Sequence, residues 1–158
     1  LYLITNAIKY ISLDNGNILL DENIYKLKKQ YLQDDKNDTM DNLSSKYLVK
    51  MIEEQKENLT IKYKQHKGLL TFTLGNISIP ANRFLKENDD YDFFIDIGRR
   101  GRGSLRADNK LDVSQLASAL GHGGGHPNAS GVAFNDWKDT INYQDVKSFI
   151  QKKLDKLS

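Results

Sequence analysis

His126 follows three consecutive glycines, Gly123, Gly124 and Gly125, inside the run Gly121-His122-Gly123-Gly124-Gly125-His126-Pro127-Asn128-Ala129-Ser130-Gly131. Five of the chain's eleven glycines and two of its three histidines fall in these positions. Adjacent glycines are poor helix and strand formers, because ordering them costs backbone entropy. What they offer is a backbone that takes positive φ and approaches another molecule closely. Successive exposed N–H groups in such a loop form an anion-binding nest. A histidine placed next to it can donate to, or share a proton with, the same anion. The competing reading is a glycine-rich surface turn with incidental histidines. A second signal is Arg99-Arg100-Gly101-Arg102-Gly103-Ser104-Leu105-Arg106. Four of the five arginines lie there, with only Arg83 elsewhere, and lysine, far commoner in this chain, is absent from the stretch. Arginine is the residue for bidentate phosphate contact and for stacking on bases. The alternative is a solvated hairpin tip.

The elements that must position these residues follow from periodicity and punctuation. Ile4, Ala7, Ile8 and Ile11 recur at helical spacing, as do Leu20, Ile24, Leu27, Tyr31 and Leu32. Residues 33–41 are polar, acidic and aperiodic, which predicts a loop and a boundary. A third helix carries Leu43, Tyr47, Leu48, Met51 and Ile52 on one face. The expected division is therefore a helical linker over 1–58, packed on a neighbouring domain, and a compact domain over 59–158. In the second part, Leu69 to Leu74 reads as a strand, and Ile77 and Ile79 as its continuation or a return strand stopped by Pro80. Residues 81–86 read as a short helix and Tyr91 to Ile97 as a strand. Gly103 to Ala107 pairs with that strand as a hairpin, which would put Ser104 and Arg106 on one face and Leu105 on the other. Asp112 is the expected N-cap of a helix over 112–120, with Gln115 at the capping-box position and Gly121 as its C′ residue. Ser130 to Phe134 reads as a strand, and Val146, Phe149, Ile150 and Leu154 mark a last helix. The predicted class is α/β, a mixed sheet flanked by helices.

Composition bounds the rest. At 158 residues the chain is one domain, or one with an appendage. A net charge of +2 says little about partners, so local charge carries the argument. With no cysteine there is no disulfide framework and no thiolate metal site, which suits a cytoplasmic protein. No apolar run approaches the ~20 residues of a membrane helix. Leu1 opens the chain in mid-helix, which predicts an excised C-terminal portion of a longer protein. The acidic run Asp34, Asp35, Asp38 and Asp41 lacks the glycine and terminal glutamate of a calcium loop. The chain also carries no Asp-His-His and no His and Asp pair at ligand spacing, so no metal is expected in it.

The combination of Ser104-Leu105-Arg106, the helix with Asp112-Val113 and Leu116-Ala117, and Leu120 through Gly131 resembles the C-terminal substrate-binding domain of the DHH phosphoesterases, the DHH-associated domain. The resemblance covers 59–158 and is densest over 96–134. It departs where His122 stands, a position commonly glycine in that family. The resemblance implies a separate N-terminal domain with two metal ions, usually manganese, and a C-terminal domain that grips a nucleotide or phosphate substrate across a cleft. It implies that Gly123, Gly124 and Gly125 approach a phosphate, that His126 contacts the scissile phosphate, and that Arg106 clamps the backbone beside Ser104. Arg99 and Arg102 are weaker carry-overs. The expected function is the substrate-binding part of a metal-dependent phosphodiesterase of short oligonucleotides, RNA or DNA, of the oligoribonuclease or exonuclease type and inactive as this fragment. The alternatives are a phosphatase or phosphodiesterase of small nucleotides, such as adenosine bisphosphate or cyclic dinucleotides, and a non-catalytic RNA-binding module. The N-terminal domain and the substrate are the expected partners, with no membrane; homodimer formation stays open.

Overall fold

The structure, a computed structural model, describes residues 40–158, with side chains from Ser45 onward. The two helices expected before residue 33 and the acidic run as far as Asp38 lie outside the described residues.

Among the described residues four helices and six strands follow in the order α1 (Met40–Leu59), β1 (Thr60–Tyr63), β2 (His66–Phe72), α2 (Ser78–Glu87), β3 (Phe93–Ile97), β4 (Arg102–Ala107), α3 (Val113–Leu120), β5 (His122–His126), β6 (Ala129–Ala133) and α4 (Tyr143–Leu157). The strands form one mixed sheet in the order β1-β2-β3-β4-β6-β5. Only β2 and β3 run parallel, and α2 makes the crossover between them. The α/β class expected from the sequence is the one found.

Phe93 and Phe94 show how the sheet acquires two cores. Neighbours on a strand point to opposite faces. Phe93 joins Ile95, Ile97, Leu105 and Val132 beneath α3 and α4, which contribute Leu116, Ala117, Val146, Ile150 and Leu154. Phe94 joins Leu69 on the other face, under Leu48, Val49 and Ile52 of α1 and Ala81, Phe84 and Leu85 of α2. Phe84 meets Phe94 edge-on, with ring centroids 5.8 Å apart. Leu48, Val49, Ile52 and Leu59 of α1 thus pack on this chain's own sheet and α2.

Two local expectations need correction, and one strand was not expected. Ile77, Ile79 and Pro80 do not extend or end a strand; they open α2, with Ile77 at the N-cap and Pro80 in the first turn. Proline is tolerated there because first-turn N–H groups have no intrahelical partner. The strand β1 escapes a sequence reading because its turn to β2, around Lys64 at φ 53°, carries no glycine or asparagine. Gly121 is extended at φ −175° rather than left-handed. Its need is for space, since a Cβ would lie 2.8 Å from the Ala133 carbonyl oxygen.

Candidate functional site: a bare half of the sheet

The glycine run is not a loop. Residues 122–126 form β5, the edge strand, paired antiparallel with β6. Steric space explains why glycine can serve as a strand here. A Cβ on Gly123 would lie 2.5 Å from the Ala117 carbonyl oxygen of α3, and one on Gly125, at φ +144°, would lie 2.8 Å from that of Ala129. These two glycines let α3 and the hairpin close onto each other. Gly124 differs: its Cβ would meet only Ser118 Oγ, at 3.9 Å. On β6, Gly131 has similar room, with the Gly103 carbonyl oxygen at 3.6 Å. The fold does not demand glycine at 124 or 131, and both are exposed.

The register gathers the polar residues. Arg106 pairs with Ala129, and Ala129 pairs with His126. Cross-strand partners share a face, and so do residues two apart on one strand. Three rows therefore cross β4, β6 and β5 on one face: Arg106-Ala129-His126, Ser104-Gly131-Gly124 and Arg102-Ala133-His122. Burial agrees, because these positions are exposed or half-buried while Gly103, Leu105, Ser130 and Val132 between them are buried. This is the same face that α1 and α2 cover over β2 and β3. Among the described residues α2 also reaches β4, and beyond that contact the row positions on β4, β6 and β5 stay open. At about 4.8 Å per strand step the bare strip is about 10 Å wide from β4 to β5. Ala129, Gly131 and Ala133 give it a flat floor between rims of arginine on one side and histidine on the other.

The hairpin tip closes one end of this strip. The Gly101 N–H donates to the Gly98 carbonyl at 3.0 Å, placing Arg99 and Arg100 at the apex, both exposed. Trp137 braces the turn, with Nε1–H donating to the Arg99 carbonyl at 2.9 Å. Among the described residues Arg99, Arg100, Arg102 and Arg106 have no carboxylate partner, whereas Arg83 pairs with Glu87 at 3.1 Å. Arg106 donates one guanidinium N–H to the Leu105 carbonyl at 2.9 Å, which steadies it along the strand. The His126 side chain is exposed and makes no hydrogen bond or ion pair among the described residues, while its carbonyl accepts from the Ser130 hydroxyl at 2.7 Å. His122 is held: Asn135 Nδ2–H donates to its Nε2 at 2.8 Å. That contact sets the neutral ring's proton on Nδ1.

The N-terminus of α3 is capped as expected. Asp112 caps it, accepting from the Ser114 and Gln115 N–H groups. The Val113 N–H donates to the Pro127 carbonyl at 2.9 Å and that of Leu116 to the Asp112 carbonyl at 3.3 Å. All four first-turn amides are thus satisfied within the protein, and none is left for an anion. The bond from the Ser114 hydroxyl, with the two amides, holds the Asp112 carboxyl below its ordinary range. Ser118 Oγ–H reaches both the Ser114 and Gly123 carbonyls at 3.0 Å, tying α3 to the sheet edge. Beside Gly124 and Gly125, against Ser114, Gln115 and Ser118, lies an open depression of about 550 Å³.

Asp96 is the residue that motif reading passed over. It lies in the middle row, paired with Ser104 on one side and Thr71 on the other, at the seam between covered and bare halves. Burial pushes its carboxyl up to about 6, against the pull of bonds from the Leu74 N–H, the Thr71 hydroxyl and the Gly75 N–H. These bonds, at 2.8 to 3.1 Å, pin the loop that leads into α2. The signal was present in the sequence, as one acid inside the apolar run Phe93-Phe94-Ile95-Asp96-Ile97.

Of the expected site residues, Ser104, Arg102, Arg106, Gly124 and His126 thus meet on one surface, with Arg99 at its end. Gly123 and Gly125 belong to the strand's other face, where their role is steric.

The DHHA1 domain matches this chain over residues 44–156. The chain is 37% identical over 153 residues to a 3',5'-cyclic-nucleotide phosphodiesterase of Helicobacter pylori, covering 96% of this chain and 44% of that protein. A crystal structure of an uncharacterized protein from Helicobacter pylori G27 superposes with a TM-score of 0.78 at 35% identity, over 97% of this chain and 45% of that one. The chain thus spans less than half the length of these relatives. With its sheet, its capped helix and its Gly-Gly-Gly-His strand in place, the chain belongs to the DHHA1 domain family, the C-terminal DHH-associated domain of the DHH superfamily.

Proposed function

We propose that this domain is the substrate-gripping part of a metal-dependent phosphodiesterase that cleaves short oligonucleotides, with the bare half-face holding the phosphates. The observation that carries the reading is the row Arg106-Ala129-His126, which sets a guanidinium and an imidazole opposite one another across a small-residue floor. Arg106 offers a fork of donors to phosphate oxygens. His126 directs a ring N–H at a phosphoryl oxygen, Gly124 lets the phosphate approach the backbone, and Ser104 adds a hydroxyl donor. Arg99 and Arg102 add charge toward the hairpin end.

The family resemblance implies two metal ions. No group of three or more His, Cys, Asp or Glu that could hold a metal occurs among the described residues. In this reading the ions, manganese by resemblance, belong to an N-terminal domain, which activates water; this domain alone binds without cleaving. Among the described residues no helix is long and apolar enough to cross a membrane. Cytoplasmic placement is part of the proposal. A second reading, a phosphodiesterase of cyclic or other small nucleotides, is favoured by the 37% identical relative, a 3',5'-cyclic-nucleotide phosphodiesterase.

Steady-state kinetics of variants in the full-length protein test the first reading. His126→Ala lowers kcat on the order of 10²-fold, because a donor to an oxygen that gains charge during attack acts mainly in the transition state. Arg106→Ala raises KM at least as much as it lowers kcat, because it holds substrate before and during reaction. Full kcat in His126→Ala would make the histidine structural. Faster turnover of cyclic nucleotides than of a trinucleotide would favour the second reading.

A further inference from the structure

Arg102 and His122 face each other across Ala133 as Arg106 and His126 do across Ala129. The same pair of residue types is repeated at the opposite end of the strip, four residues away along both rim strands. Arg102 and His122 are exposed, and neither pairs with a carboxylate among the described residues. Asn135 fixes His122 with Nδ1–H as the free donor. We propose that Arg102 and His122 form a second phosphate clamp, and that the strip binds an oligonucleotide of at least three nucleotides running along the strands. This deepens the function proposed above and rests on it.

The spacing selects the substrate class. Four residues of strand separate the two clamps by about 14 Å. A nucleotide's backbone repeat has six covalent bonds, twice the three of a peptide residue, so by comparable bond lengths it reaches about 7 Å when extended. The clamps therefore lie two nucleotide steps apart. The middle row, Ser104-Gly131-Gly124, falls one step from each. A strand repeats its facing side chains every two residues, about 7 Å, so each row meets one phosphate of an extended single strand. A mononucleotide or a cyclic mononucleotide engages one clamp and cannot reach the other. Arg99 and Arg100, at the apex beyond Arg102, extend the positive charge in the same direction.

The test is the dependence of affinity on chain length. Hydrolysis-resistant phosphorothioate oligonucleotides of two and three residues, 5'-phosphorylated and labelled, are titrated against the full-length, metal-replete protein and its His122→Ala, Arg102→Ala and Arg106→Ala variants. In the wild type the trinucleotide binds about tenfold tighter than the dinucleotide, the size expected for added charge-assisted hydrogen bonds. His122→Ala and Arg102→Ala bring that ratio toward one. Arg106→Ala weakens both ligands and leaves the ratio as it was. A ratio that His122→Ala and Arg102→Ala do not change, with Arg106→Ala still weakening both ligands, overturns the second clamp and leaves the proposed function standing. No binding of either oligonucleotide by the wild type overturns both.

Discussion

Phe94 and Arg106 are cross-strand partners on the same face of the same sheet. Phe94 is wholly buried under α2, whereas Arg106, at the limit of that helix, is half-buried. The two halves of this face share a backbone geometry and differ in what lies over them. Over β2 and β3, two helices seal an apolar core that includes Leu69 and Phe94. Over β4, β6 and β5 the floor is alanine and glycine and the rims are arginine and histidine. Dry packing needs large apolar side chains to offset the entropy of ordering, and the bare half has none. It contributes little to folding and is free to hold a ligand. Asp96 sits where the halves meet and hydrogen-bonds the loop that begins the covering helix.

The contrast can be broken most severely within that one cross-strand pair. Phe94→Ala removes a buried ring and costs about 3–5 kcal/mol of stability. Arg106→Ala changes stability by no more than about 0.5 kcal/mol, as for a surface position outside the core. Denaturant melts of both variants measure this, and comparable losses would mean that the bare half is part of the folding core.

Asp96 sharpens the seam through pH. Its folded carboxyl titrates near 6 against an ordinary 3.8. The folded state therefore holds its proton more tightly than the unfolded state, and the stability this adds is fully present below about pH 4 and lost as pH rises through about 6. At 1.36 kcal/mol per pKa unit the swing is about 2–3 kcal/mol. Asp96→Asn removes it. Thermal melts across pH 4 to 7 decide the matter: an unchanged pH dependence in the variant would show that Asp96 is not the group responsible.

The smallest effects separate the glycines. Gly123→Ala forces a Cβ onto backbone atoms of α3 and costs about 1–3 kcal/mol. Gly124→Ala has room and leaves stability within about 0.5 kcal/mol, while a methyl on the strip floor weakens oligonucleotide binding. Equal melting temperatures for the two variants would remove the distinction between a glycine kept for packing and one kept for a ligand.

Much of this was legible in the chain. The β3–β4 hairpin, the Asp112 cap and the placing of Ser104 and Arg106 opposite Leu105 follow from local alternation and capping chemistry, which depend on near neighbours. The glycine run shows the limit. Its composition argues for a loop, because the intrinsic cost of ordering glycine is local. Its strand state is imposed by α3 and β6, which approach so closely that a side chain at 123 or 125 would not fit. The small-residue alternation Ala129, Gly131, Ala133 was also visible, but its meaning depends on which face is left uncovered.

The sequence by itself determined the α/β class, the two residue sets rich in arginine and in glycine with histidine, and the family. The class rests on periodicity and capping and the residue sets on composition, all written along the chain, and the family on the resemblance of Ser104-Leu105-Arg106 and of Leu120 through Gly131 to its motifs. Only the tertiary structure decided that Arg106 and His126, twenty positions apart, share one row, that Arg102 and His122 repeat them at the far end, and that this face is bare. Strand order and register are set by packing between distant segments: which residues stand opposite one another depends on β6 lying between β4 and β5, and the open floor depends on α1 and α2, among the described residues, covering β2 and β3 and reaching little farther than β4.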